Sequence, residues 1–242
     1  MVRVPRAMRP VVLSPGSRPG FPDPRLADHD GLIAVGGDLQ VERLLLAYEM
    51  GIFPWFDEGM PALWWSPDPR AVMDLEHLHV SRSLRRKLRT AAFSLTLNTA
   101  FTQVMRACAD RPEGTWVTDD MVTAYGRLHT LGHAHSVEVW RGRELVGGLY
   151  GVQRGGLFAA ESMFHRTTDA SKIALVAAIR TLFAAGIELF DVQFLTPHLE
   201  SLGAYELARD VYLDRLRGSL LRTPRLDGLQ PQATLPVFDS AR

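Results

Sequence analysis

LFAAESMF (Leu157 to Phe164) and IELFDVQF (Ile187 to Phe194), with the segment between them, decide the fold. Leu157 to Ala160 is a short apolar run behind two glycines, the pattern of a buried strand. Glu161 ends it, so a carboxylate stands at the rim of a core. After Asp169, read as an N-cap, Leu175, Ile179, Leu182 and Phe183 recur on one helical face, and Gly186 supplies the stop. Along the next strand side chains alternate, so Ile187, Leu189, Asp191 and Gln193 share one face while Phe190, Val192 and Phe194 share the other. Leaving such polar groups buried without partners costs about 1–3 kcal/mol each. Two readings stand: Glu161, Asp191 and Gln193 form the floor of a pocket, or Asp191 and Gln193 cap a neighbouring loop while Glu161 pairs with a nearby arginine.

Upstream, His135 to Trp140, Leu145 to Val152 and Leu157 to Glu161 are joined by turns at Arg141-Gly142-Arg143 and Gln153 to Gly156, an antiparallel meander. The order β-β-β-α-β resembles the core of the GCN5-related N-acetyltransferase fold, in which an acyl group passes to an amine. The pyrophosphate loop of that fold is missing, because the glycines here sit in a hairpin, and an acyl donor other than acetyl-CoA is implied.

Composition sets the limits. The 242 residues are 46% hydrophobic and 22% charged, with Lys plus Arg balancing Asp plus Glu, so any nucleic-acid contact must be a local patch. No apolar run reaches the length of a membrane span, and the proline-broken N-terminus lacks the apolar core of a secretory signal, so the expected location is cytoplasmic. A single cysteine, Cys108, excludes an internal disulfide and a cysteine-rich zinc site, and it is expected to pack on a helix. His129, His133 and His135 match no metal-binding spacing, since Gly132 breaks the helix between them.

The patch exists. In Ser81 to Arg89, Leu84 and Leu88 point inward at i, i+4 and leave Arg82, Arg85, Arg86 and Arg89 on the opposite side, either a grip on phosphates or a solvated helix face. Residues 1 to about 20 read as a loose arm, Gly31 to Val35 as a strand, and Val41 to Met50 as a helix closed by Gly51. From Ile52 to Arg70, Trp55, Trp64 and Trp65 stand among prolines and acids where no regular element is expected. With Tyr48 they make either a platform for a flat ring or the glue between two domains. The Pro67-Asp68-Pro69 stretch suggests a division there: a small N-terminal domain over 1–70 and a catalytic domain with a C-terminal tail over 71–242. The second part opens with the basic helix, a strand over Phe93 to Leu97, a helix from about Thr99 to Ala109, and a helix capped by Thr118 and closed by Gly132.

GLIAVGGDL (Gly31 to Leu39), AYEMGIFPWF (Ala47 to Phe56), LWWSPDPRAV (Leu63 to Val72), GTWVT (Gly114 to Thr118), HAHSVEVW (His133 to Trp140), LVGGLYGV (Leu145 to Val152), ESMFHR (Glu161 to Arg166) and DVQFLTPHLESLGA (Asp191 to Ala204) together resemble the leucyl/phenylalanyl-tRNA–protein transferase family. The resemblance runs in one order from about Phe21 to Arg217 and leaves out the N-terminal arm and the tail after Thr223. One departure is Val192, where the family usually carries cysteine; on the alternation above it faces away from Asp191 and Gln193.

The resemblance implies an α+β chain, a small N-terminal α/β domain followed by an acetyltransferase-like domain with a mixed, mainly antiparallel sheet. It implies an enzyme that moves leucine, phenylalanine or methionine from aminoacyl-tRNA to the N-terminal Arg or Lys of an acceptor protein, creating a degradation signal, with no metal, coenzyme or membrane. An aminoacyl ester is already activated, and an α-amine with pKa near 8 is about one-tenth neutral at pH 7, so placement and a route for one proton suffice. On this reading Gln193 holds the attacking amine and Asp191 polarises it, with Asp191, the tRNA's 2′-hydroxyl or a water as proton acceptor. Glu161 anchors the ester or the amine. Leu149, Phe158 and Met163 line the aminoacyl pocket, the terminal adenine stacks on Trp55 near Tyr48, and Arg82, Arg85, Arg86 and Arg89 hold the acceptor stem. The rivals are an acetyl-CoA-dependent acetyltransferase and a non-catalytic tRNA-binding module.

Overall fold

In the computed structural model the described residues are 9–89, 93–110 and 115–226, Arg89 by its backbone alone. A four-stranded sheet comes first: β1 (Val11–Leu13), β2 (Leu32–Gly36), β3 (Phe53–Pro54) and β4 (Leu63–Trp65), in the order β1-β2-β4-β3, with α1 (Val41–Glu49) between β2 and β3. The expected loose arm lies outside the described residues as far as residue 8. Its remainder is tied down, because Val11 to Leu13 pair in parallel with Ala34 to Gly36 and the Arg43 guanidinium donates to the Ser17 carbonyl. The tryptophan segment is also more regular than expected. Trp64 is buried on β4 and donates its indole N–H to the Gly36 carbonyl, while Trp65 donates to the Trp55 carbonyl. Strand β4 pairs with β2, which is remote in sequence and leaves no local pattern, and with β3 across the loop inside the segment itself, Phe53 opposite Trp65.

The larger sheet has seven strands: β5 (Arg70–Met73), β6 (Ser94–Leu97), β7 (Ala134–Arg141), β8 (Glu144–Arg154), β9 (Leu157–His165), β10 (Leu189–Gln193) and β11 (Tyr205–Leu207). Their order is β11-β5-β10-β9-β8-β7-β6, and only the β9–β10 pair is parallel. The sheet is therefore mixed and mainly antiparallel, and the chain α+β, as the sequence led one to expect. Helices α2 (Arg82–Arg89), α3 (Phe101–Ala109), α4 (Asp119–Thr130), α5 (Ala170–Ala184), α6 (Pro197–Glu200) and α7 (Arg209–Ser219) complete it. Thr118 caps α4 by accepting from the Met121 N–H, and Cys108 is buried on α3.

Two apolar clusters cover the two faces of the large sheet. One holds α5 with Leu149, Phe158, Phe190 and Val192. The other holds Met105 and Tyr125 of α3 and α4, Tyr150 and Tyr212, and also Ile33, Leu44 and Trp64, so the small sheet packs into the same cluster as one face of the large one. Helix α5 is buried on nearly every side, with Phe183 of its expected inner face only partly covered. Asp169 stands at the N-cap position, as expected, with φ 71° and its carbonyl accepting from the Ile173 N–H, but its side chain makes no capping hydrogen bond; the carboxylate is taken by Lys87 of α2 instead.

Candidate active site

Strand β9 runs past Glu161 to His165, so the carboxylate sits in mid-strand and not at a strand end. The register slips opposite it, where Tyr150 pairs with Ser162 and Gly151 with Ala160. Such a bulge re-aims a side chain. Glu161 thereby opens into a cleft of about 200 Å³ lined by Phe53, Trp55, Trp116, Val192, Gln193 and Leu199 among others. A second irregularity shapes the opposite wall. The pairing of β10 with β5 shifts between Asp191 and Gln193, and Gln193 takes a left-handed φ of 61°, uncommon outside glycine.

That shift corrects the simple alternation. Gln193 faces the cleft, and so does Val192, which was expected to point away from it. Asp191 does not line the cleft. Its Oδ1 accepts from Arg70 Nε at 2.8 Å and from the Gln193 backbone N–H at 2.9 Å, and its Oδ2 accepts from Arg70 Nη2 at 2.6 Å and Tyr212 Oη at 2.9 Å. Four donors fill the carboxylate, which corrects its expected service as a proton acceptor. The arginine pairing weighed for Glu161 belongs to Asp191.

Around Glu161 the partners are neutral. Gln193 Nε2 donates to its Oε1 and Tyr125 Oη to its Oε2, both at 3.4 Å, and Tyr125 shares a 2.5 Å hydrogen bond with Tyr48. Burial pushes the Glu161 carboxyl up to about 8; the Asp191 charge raises it further, against the lowering effect of Tyr48, Arg70 and Tyr125. It is mostly protonated at neutral pH. Among the described residues the Gln193 amide oxygen accepts no hydrogen bond, which leaves it as the free acceptor on that wall.

Several expected residues lie elsewhere. Tyr48 is 1% exposed and belongs to the hydrogen-bonded shell of Glu161, so no ring can stack on it; the inner face of α1 carries it into the core. Leu149 and Phe158 are closed in the cluster under α5, with Phe158 against Phe190, and do not line the cleft. Their places on the meander put them on the α5 side of the sheet. Met163 is partly buried against the same cluster. Trp55, in contrast, is 41% exposed at the cleft mouth beside Phe194, at 5.4 Å between ring centroids. Arg82, Arg85 and Arg86 are exposed on α2, while the Arg89 side chain lies outside the described residues. Lys87 of α2 joins Asp169, which is also paired with Lys172, and the Lys172 charge acts on His198, next to Leu199 of the cleft wall. Sequence reasoning missed Arg70, Trp116, Tyr125 and Tyr212. The one signal for Arg70 was that a buried carboxylate demands a cationic partner.

The comparisons with known proteins meet this geometry. A family model described as leucyl/phenylalanyl-tRNA protein transferase matches residues 72–217, and the model of its N-terminal domain matches residues 37–68. This chain belongs to the leucyl/phenylalanyl-tRNA–protein transferase family. A curated member from Anaeromyxobacter sp. (strain K) is 55% identical over 87% of this chain and 91% of its own length. One from Citrobacter koseri is 54% identical over 86% and 89%, and one from Yersinia enterocolitica 57% identical over 81% and 84%. The chain is thus an enzyme, an aminoacyl-tRNA–protein transferase. Among solved structures, a GCN5-related N-acetyltransferase-like protein from Streptococcus suis matches 64% of this chain and 61% of its own at 15% identity, with a TM-score of 0.32, too loose to build on. No helix among the described residues is long and apolar enough to cross a membrane.

Proposed function

We propose that the cleft joins leucine, phenylalanine or methionine, carried as the ester of tRNA, to the α-amine of a protein that begins with arginine or lysine, and that the product marks this protein for degradation. The observation that carries the reading is the facing pair of Gln193, held left-handed by Asp191, and the neutral Glu161 on the bulge of β9. The amine's lone pair attacks the ester carbonyl, the bond from that carbon to the ribose oxygen breaks, and the ribose oxygen takes the proton that nitrogen gives up. No further activation is needed, since the ester supplies the driving force and the site supplies placement.

Gln193 accepts a hydrogen bond from the incoming amine, and Glu161, protonated, donates to the ester end. Asp191 acts at one remove by fixing Gln193. The donor's apolar side chain enters at the Glu161 end; Met163 stands beyond the bulge of β9, opposite Leu149 and against the α5 cluster, where it would supply an adaptable wall to a pocket opened on that side. A pocket that includes Leu149 and Phe158 would have to open behind it. The terminal adenine stacks on Trp55, and Arg82, Arg85, Arg86 and Arg89 hold phosphates of the acceptor stem without reading sequence.

A basic acceptor is supported by a neighbouring cavity of about 550 Å³ that shares Trp55 and Phe194 with the cleft and bears Asp28, Asp30, Asp68 and Glu206. We further place the chain in the cytoplasm, where charged tRNA is found, and divide it near residue 70. The test is to mix the protein with leucyl-tRNA and two peptides that differ only in beginning with arginine or alanine. Extension of the first alone supports the reading; extension of neither, or of both alike, opposes it.

A further inference from the structure

We infer that Arg70 is a positioning residue of the transfer reaction, acting through Asp191 on the backbone of Gln193; the inference rests on the reading above. Arg70 is the first residue of β5, is 1% exposed, and lies between the rings of Phe53 and Tyr212, with its guanidinium carbon 4.7 and 4.6 Å from their centroids. Each of its three nitrogens donates: Nε and Nη2 go to the two oxygens of Asp191, and Nη1 goes to the Gly51 carbonyl at 3.1 Å. Gly51 has φ 73°, and a Cβ there would meet Leu213 and Tyr212 at 2.7 and 2.9 Å, so the carbonyl is presented by a turn that only glycine fits.

One side chain thus ties three elements that sequence keeps apart: the turn after α1, the bulged end of β10, and, through Tyr212, helix α7. Asp191 Oδ1 accepts from both Arg70 Nε and the Gln193 N–H, so the arginine fixes the plane of the carboxylate that in turn holds Gln193 left-handed. A lysine keeps the charge but offers no planar fork and releases that plane. A catalytic amide displaced by about 1 Å loses roughly a hundredfold in rate.

The experiment compares Arg70→Lys and Tyr212→Phe with Arg43→Lys over a range of leucyl-tRNA concentrations with an arginine-first peptide. Arg43 is the fitting control: it is also a buried arginine paired with an aspartate, but its guanidinium goes to Asp38 and the Ser17 carbonyl, away from the cleft and from the acidic cavity. Arg70→Lys is expected to lose about a hundredfold in kcat and Tyr212→Phe a few-fold, both with KM for leucyl-tRNA within about twofold. Arg43→Lys is expected to melt earlier and to keep its kcat. Parental kcat in Arg70→Lys, or an equal loss in Arg43→Lys, overturns the inference. Should Arg70→Lys fail to fold, Tyr212→Phe decides, parental kcat again being contrary. A parent enzyme that makes no product refutes the functional reading instead.

Discussion

Arg70 and Asp191 meet through two hydrogen bonds of 2.8 and 2.6 Å, with both side chains 1% exposed, although 121 residues separate them in sequence. The pair closes the inner end of β5 against β10 and sets the backbone on which Gln193 stands. Its energetics follow from burial. Two desolvated charges balance each other, and either alone is costly.

Asp191→Leu strands the guanidinium of Arg70 in the core, and loss of one partner of such a pair costs about 3–5 kcal/mol. The double variant Arg70→Met with Asp191→Leu removes both charges and is expected to recover much of that stability while remaining poorly active. Urea unfolding of the two variants checks this. A single variant as stable as the parent would contradict it.

Glu161 carries a pH signature. Its carboxyl is raised from an ordinary 4.5 to about 8 by burial, so between these values the folded chain holds a proton that the unfolded chain has released. Stability from this group is complete below pH 4.5 and is lost as pH rises through 8. Glu161→Gln is expected to flatten that fall in melting temperature and to remove the alkaline limb near pH 8 from kcat/KM. Melting and rate profiles with unchanged alkaline behaviour would refute the assignment.

Much of this arrangement was legible in the sequence. The meander of β7, β8 and β9 follows from apolar runs broken by glycine-bearing turns, and the cap of α4 from Thr118 followed by two aspartates. Gln193 was legible as a polar end to an apolar stripe, but its left-handed backbone was hidden, because such a glutamine leaves no mark as a glycine would, and without that bulge alternation sends Val192 to the wrong wall. The Arg70 partnership was hidden too, since an ion pair between strands remote in sequence has no period. Tyr48 misled for a third reason: its helical position fits the buried face of α1 as well as an exposed platform, and packing chose the former.

Trp55 is, with Phe194 beside it, an exposed ring at the cleft mouth, and stacking of one base is worth about 1–3 kcal/mol. Trp55→Ala is expected to raise KM for leucyl-tRNA about tenfold, within that range, with kcat little changed. Steady-state kinetics at several tRNA concentrations decide it. An unchanged KM would remove Trp55 from the donor site.

Arg82, Arg85 and Arg86 project from α2 into solvent. If each contacts a phosphate, replacing one by glutamine lowers the slope of log affinity against log salt by about one. Filter binding of leucyl-tRNA across a salt series measures the slope. A slope equal to the parent's in all three variants would show that the stripe is only a solvated helix face.

The most direct test of the central claim is the single-turnover rate of leucine transfer from leucyl-tRNA to an arginine-first peptide by Gln193→Ala, with the enzyme in excess over bound donor. Removal of one preorganised hydrogen-bonding group from a reacting centre costs about 10²–10³ in rate, and a fall of that size is expected here while donor binding persists. A variant that extends the peptide at the parental rate would contradict the account.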